Sequence, residues 1–296
     1  MRKISKKRVA IALVLLSALA TMPVLTSCGS KPSHATLVDE QPHIFPDYTG
    51  TTIPVDIAPL DFNVVGDSLQ SVFVTVRGSK EGEMEAHGDY ADFDVDDWHK
   101  LTEANKGGQL TFTVYARQGG EWKQYRDFTV EVSNDPLGEW GLTYRLIPPG
   151  YEVYGKMGIY QRDLSNFKET AILENTAVPG ACLNCHTSNQ TSPDRFTFHI
   201  RGDHGGTLIS EQGQVEILKA KNDSLKSSMV YPYWHPSGQW IAYSTNNTHQ
   251  SFHAVRGERV EVFDQASDVL IYHPATHRIV LNPNVMTKDH YENYPV

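Results

Sequence analysis

Residues 231–244 read Tyr231-Pro232-Tyr233-Trp234-His235-Pro236-Ser237-Gly238-Gln239-Trp240-Ile241-Ala242-Tyr243-Ser244. Aromatic and apolar residues flank a His-Pro-Ser-Gly segment, and proline followed closely by glycine is turn chemistry. Gly238 is free to take the positive φ that such a turn needs. The stretch predicts a β-hairpin whose aromatic side chains pack against a neighbouring layer.

Short strands are expected on the N-terminal side of this hairpin as well. Leu142–Leu146, Gly158–Leu164 and Lys168–Leu173 read as adjacent strands of one small sheet, and Phe196–Arg201, Gly206–Ser210 and Gln214–Lys219 continue the rhythm. Further upstream every second residue is apolar: Val72, Val74 and Val76, then Leu110, Phe112 and Val114, then Phe128, Val130 and Val132. A period of two broken by turn clusters such as Arg117-Gln118-Gly119-Gly120 marks half-buried strands, so residues 47–135 are expected to form an antiparallel, Ig-like β-sandwich. No run in this half has helical periodicity. The acidic stretch Asp89–Asp97 lacks calcium-loop spacing and the loop glycine, and reads as a solvated strand edge. The turn-rich Asn134-Asp135-Pro136-Leu137-Gly138 marks a domain boundary.

The chemistry-bearing motif lies at 179–188, Pro-Gly-Ala-Cys-Leu-Asn-Cys-His-Thr-Ser. Cys182-x-x-Cys185-His186 matches a c-type haem attachment site. Two thiols at this spacing add to the two vinyl groups of one porphyrin edge, and the adjacent histidine ligates the iron. Gly180 and Ala181 are expected to leave room for the flat macrocycle. Three other readings share the spacing: a thioredoxin-like pair, which lacks its α/β context; a zinc site, which lacks a second cysteine pair; and a plain disulfide. For the sixth iron ligand His204, in a glycine-flanked loop, is the first choice. His199, His253, Met229 and Met157 follow, and Arg195 or Arg201 is a candidate partner for the propionates.

At the N-terminus, Arg2, Lys3, Lys6, Lys7 and Arg8 precede an apolar run to Leu25, the pattern of a secretory signal over residues 1–27. Leu25-Thr26-Ser27-Cys28 resembles the lipobox of bacterial lipoproteins, which implies acylation of Cys28 and a membrane anchor. Residues 28–46, rich in Ser, Pro, Thr, His and Gly, read as a flexible tether. With Cys28 acylated, two of the three cysteines remain, both inside the motif, which excludes a disulfide-stapled scaffold.

The chain of 296 residues carries 26 Lys and Arg against 35 Asp and Glu. Loss of the leader removes five basic residues and no acidic one, leaving 21 against 35, a balance of −14. Such a surface excludes nucleic acid as a partner and suits a basic protein. No Ser-His-Asp order, catalytic carboxylate pair or phosphate-binding glycine loop is visible, so the chain reads as a carrier or scaffold more than an enzyme.

The 231–244 hairpin resembles the WD40-like repeat of TolB-type β-propellers. Together with Ile147-Pro148-Pro149-Gly150-Tyr151, Met157–Leu164, the Cys-x-x-Cys-His motif and the His-x-Arg-Gly segment, it resembles TolB-like propeller lipoproteins of Bacteroidetes over residues 45–296. The resemblance implies an all-β protein, a sandwich followed by a propeller over 136–296, in the cell envelope; the lack of an acidic cluster after Cys28 favours the outer membrane facing the periplasm. Asn293-Tyr294-Pro295-Val296 echoes Val230-Tyr231-Pro232-Tyr233, so the chain is expected to hold about three blades and to stop inside the next, short of the four or more that close a propeller. The function expected is one covalent haem c, used in electron transfer or assembly with envelope cytochromes. Alternatives are a non-redox scaffold in which Cys182 and Cys185 form a disulfide, and a haem enzyme with an open sixth position.

Overall fold

The computed structural model describes residues 29–138, 141–147, 156–190, 192, 194–251, 255–257 and 261–296. The described chain is all-β, with several small sheets and no closed barrel among them. The predicted leader and Cys28 lie outside the described residues, as do 148–151 and His253. Among the described residues no helix is long and apolar enough to cross a membrane.

The N-terminal unit is a seven-stranded sheet centred on β5 (Leu69–Gly78) and β7 (Gln109–Gln118). The alternating residues meet as expected: Val74 opposite Val114 and Val76 opposite Phe112, all fully buried. On the next strand, β9 (Phe128–Val132), Phe128 pairs with Phe112 and their rings stack at 4.7 Å. This face is covered by a two-stranded ladder of β2 (Ile44–Phe45) with β4 (Asn63–Val64), by coil and by one helix, which share a single apolar core.

Three features differ from the sequence reading. The sheet is mixed, because β1 (Thr36–Leu37) runs parallel to β8 (Glu121–Gln124) and β3 (Thr52–Ile53) parallel to β9. The region read as tether therefore contributes β1 and β2, and Ile44 is buried; two-residue strands are too short to show a period. The acidic stretch leads into helix α1 (Val95–Ala104), not a strand edge. Asp94 caps it, accepting hydrogen bonds from the backbone of Asp96 and Asp97 at 3.0 Å each, and those two carboxylates sit at the positive end of the helix dipole. Trp98 anchors the helix, fully buried, with Nε1 donating to the Ile57 carbonyl at 3.1 Å.

The C-terminal part contains three antiparallel meanders in succession. The first comprises β10 (Gly141–Leu146), β11 (Gly158–Asp163) and β12 (Glu169–Glu174). The second comprises β13 (Cys182–Ser188), β14 (Arg195–Arg201), β15 (Gly206–Glu211) and β16 (Gln214–Leu218). The third comprises β17 (Met229–Trp234), β18 (Ile241–Ser251), β19 (Glu261–His273) and β20 (Arg278–Val280). The first strands lie side by side, β10 against β13 and β13 against β17.

In the middle meander β14 is buried on both faces. Phe196, Phe198 and Ile200 of β14 pack with Leu183 and with Ile159 of the first meander. Thr197, on the opposite face, bonds the Tyr243 hydroxyl of the third at 3.0 Å, and the Tyr272 hydroxyl donates to Glu216 at 2.9 Å. The 231–244 hairpin forms as read: the Gly238 amide donates to the His235 carbonyl at 2.8 Å, with Gly238 at φ 68°.

Candidate functional site

Cys182, Cys185 and His186 all lie on β13, the end strand of the middle meander. Its ladder with β14 runs Cys182 to Arg201, Leu183 to Ile200 and Asn184 to His199, then resumes at Thr187 opposite Thr197. Two residues, Cys185 and His186, thus face the single Phe198, which is a β-bulge. Cys185 takes the left-handed conformation, φ 52°, that lets the strand fold around the extra residue. In an unbroken strand Cys182 and Cys185 would point to opposite faces; the extra residue lifts that constraint. Both cysteines are free thiols with partial solvent access.

The same bulge recurs one meander later. On β17 the pairing runs Val230 to Ser244 and resumes at Tyr233 opposite Ala242, so Tyr231 and Pro232 face Tyr243. Tyr231 has φ 46°, and Tyr294, which begins the C-terminal echo, has φ 50°. The rings of Tyr231 and Tyr294 lie 4.5 Å apart. Burial, the hydrogen bond with Tyr294, and the charges of Tyr294 and Cys185 push the Tyr231 hydroxyl up to about 12, against the opposing pull of Arg201.

His186 is partly buried, and this burial, the dominant cause, lowers its pKa; the Arg145 charge acts in the same direction and a hydrogen bond to the Thr143 backbone opposes both. Burial thus favours the neutral imidazole, the form in which histidine ligates metals, with the Thr143 backbone beside the ring as a candidate outer partner. Arg145 Nη1 donates to Asn184 Oδ1 at 2.8 Å, while its Nε is buried without a partner. Thr143, Arg145 and Asn184 escaped the sequence reading because tertiary packing alone brings β10 to β13.

The remaining candidates fall in different places. Ala181 does not open room for a macrocycle: it is buried in the core with Ile159 and Leu183. Gly180, at φ 74°, does face open space. His204 is exposed in the turn between β14 and β15. That turn lies against the approach to Cys182, since a Cβ on Gly202 would stand 2.9 Å from the Gly180 carbonyl oxygen. His199 is buried on β14, while Met157 and Met229 are core residues. Arg195 is engaged by Glu211, by the Gly238 carbonyl and by the Trp234 ring, whereas Arg201 stands exposed opposite Cys182. Among the described residues no group of three or more His, Cys, Asp or Glu side chains could hold a metal ion. A c-type haem asks for one histidine and two thiols, and β13 carries all three.

No protein-family model and no curated protein matches the chain. Among solved structures it is similar to a chain described in work on host cell surface retention of a 1.5-MDa bacterial ice-binding adhesin, at 12% identity over 82% of this chain and 96% of that one, with a TM-score of 0.22. So loose a likeness carries no inference about fold or function.

Proposed function

We propose that β13 is a haem-attachment strand and that the protein is a cell-envelope lipoprotein carrying one covalent haem c. Cys182 and Cys185 would hold the group through thioether bonds, and His186 and His204 would be the ligands of its iron. A haem held in this way supplies one-electron exchange at its iron. The chain's own residues do the rest: the Cys185–His186 bulge frees the thiols from strict alternation, the Thr143 backbone lies beside the imidazole, and Arg201, exposed opposite Cys182, is placed to pair with a carboxylate. The observation that carries this reading is the placement of Cys182, Cys185 and His186 on one end strand, with a bulge at Cys185-His186 that lifts the strict alternation of the two thiols.

The finer architecture belongs to the same proposal. We read residues 47–135 as an Ig-like sandwich and the three meanders as consecutive blades of a TolB-like propeller; the repeated bulge and the row of first strands support this. Acylation at Cys28 anchors the protein in the outer membrane, facing the periplasm, where the acidic surface receives a basic redox or assembly partner. A visible absorption spectrum of the purified, reduced protein, with haem staining after denaturing electrophoresis, tests the cofactor.

One observation favours the non-redox scaffold as second reading. Tyr231 and Pro232 occupy, one meander on, the places of Cys185 and His186, so the bulge forms without a thiol or an imidazole. In that case Cys182 and Cys185 close into a disulfide in the oxidising envelope, and thiol labelling before and after reduction detects it.

A further inference from the structure

Between the middle and third meanders runs a groove made of two adjoining cavities of about 490 and 550 Å³, which share His199, Arg201, Lys221 and Ser228 in their walls. Lys219 lines one and Lys226 the other. Four cations therefore surround one groove in a chain of net charge −9. Lys226 pairs with Asp223 at 3.3 Å. Among the described residues Arg201, Lys219 and Lys221 have no carboxylate partner, and the only acid lining either cavity is Asp203. In so acidic a chain, unpaired cations gathered on one groove create a local positive potential that attracts anions.

One acceptor lines the same space. The Thr207 hydroxyl donates its single proton to the Met229 carbonyl at 3.0 Å, so in its 3.2 Å contact with His199 Nδ1 it accepts, and the ring proton sits on Nδ1. His199, in the walls of both cavities, then presents Nε2 as an unprotonated lone pair on a side chain only 6% exposed. An acceptor without a partner on so buried a side chain marks a place where a donor is expected.

Unpaired cations beside an unpaired acceptor describe a ligand with negative oxygens at one part and a hydroxyl group at another. We infer that this groove binds a phosphorylated polyol or sugar, its phosphate held by Arg201, Lys219 and Lys221 and a hydroxyl donating to His199 Nε2. The cavity volumes exceed the needs of a bare phosphate and suit such a molecule. Neither cysteine of the motif nor His186 lines the groove, whereas Arg201 and the turn that carries His204 do, so the inference shares that edge with the haem reading and is tested by a readout independent of haem.

Isothermal titration of the full chain with glucose 6-phosphate, inorganic phosphate and glucose tests it. Glucose 6-phosphate is expected to bind saturably, inorganic phosphate more weakly, and glucose not measurably. The double variant Lys219→Glu/Lys221→Glu changes two exposed, unpaired side chains and should weaken binding by about tenfold or more with an unchanged melting temperature. Absence of saturable glucose 6-phosphate binding, equal affinity for the two phosphates, or undiminished binding by the Lys219/Lys221 variant overturns the inference.

Discussion

Cys185 and Tyr231 occupy the same place in the same β-bulge of neighbouring sheets: each is the first of two residues facing one partner, and each is a non-glycine residue at positive φ, 52° and 46°. Left-handed backbone costs an L-residue roughly 1–2 kcal/mol relative to glycine. The two strands accept this cost at equivalent positions, so the conformation belongs to the repeated sheet and not to the cysteine.

Substitutions at Cys185 should follow backbone preference. Cys185→Ala is expected to fold with stability close to the parent and Cys185→Gly to gain about 1 kcal/mol, whereas Cys185→Val, β-branched at positive φ, should lose about 1–2 kcal/mol more than the alanine variant. Urea unfolding monitored by tryptophan fluorescence measures the order. Valine tolerated as well as glycine would contradict the left-handed assignment.

His199 makes stability depend on pH. Burial, with the charges of Arg201 and Lys221, lowers its pKa from 6.5 to about 4. The unfolded chain therefore takes up a proton near pH 6.5 and the native one only near 4, so stability is full above 6.5 and falls as pH drops toward 4, by on the order of 3 kcal/mol for this group. His199→Gln should flatten the loss of melting temperature between pH 7 and 4.5. An unchanged slope would show that the imidazole is not buried neutral.

Asp61 acts with the opposite sign. Burial, the largest cause, with the Asp92 charge, raises its carboxyl from 3.8 to about 6, although the Phe93 amide donates to it at 3.0 Å and pulls it down. Native Asp61 holds its proton between pH 4 and 6 while the unfolded chain has lost it, so stability from this group declines as pH rises through that window. Asp61→Asn keeps an acceptor for Phe93 and should raise the melting temperature at pH 7.5 but not at pH 4. Equal melting temperatures for variant and parent at pH 7.5 would refute the shift.

The strands were legible in the sequence because Val72, Val74 and Val76, or Leu110, Phe112 and Val114, state their period directly. Helix α1 was not, since its apolar stripe amounts to Trp98 and Leu101 and its Asp94 cap and first-turn acids resemble a charged strand edge. The echo of Tyr231-Pro232 in Tyr294-Pro295 could be read from residue identity. The membership of Cys185-His186 in that series could not, because the shared property is backbone conformation and side chains as unlike as thiol and phenol fill it. Likewise Arg145 reaches Asn184 only after two sheets have packed, a contact that no spacing along the chain announces.

The central claim is that Cys182, Cys185 and His186 hold a haem, and the most direct measurement is the reduced-minus-oxidised absorption spectrum of protein made in cells that attach c-type haem. The account predicts sharp haem bands, pigment that stays with the polypeptide through denaturing electrophoresis, and its loss in the Cys182→Ala/Cys185→Ala variant. A colourless protein from such cells, with both thiols intact or joined to each other, would contradict it.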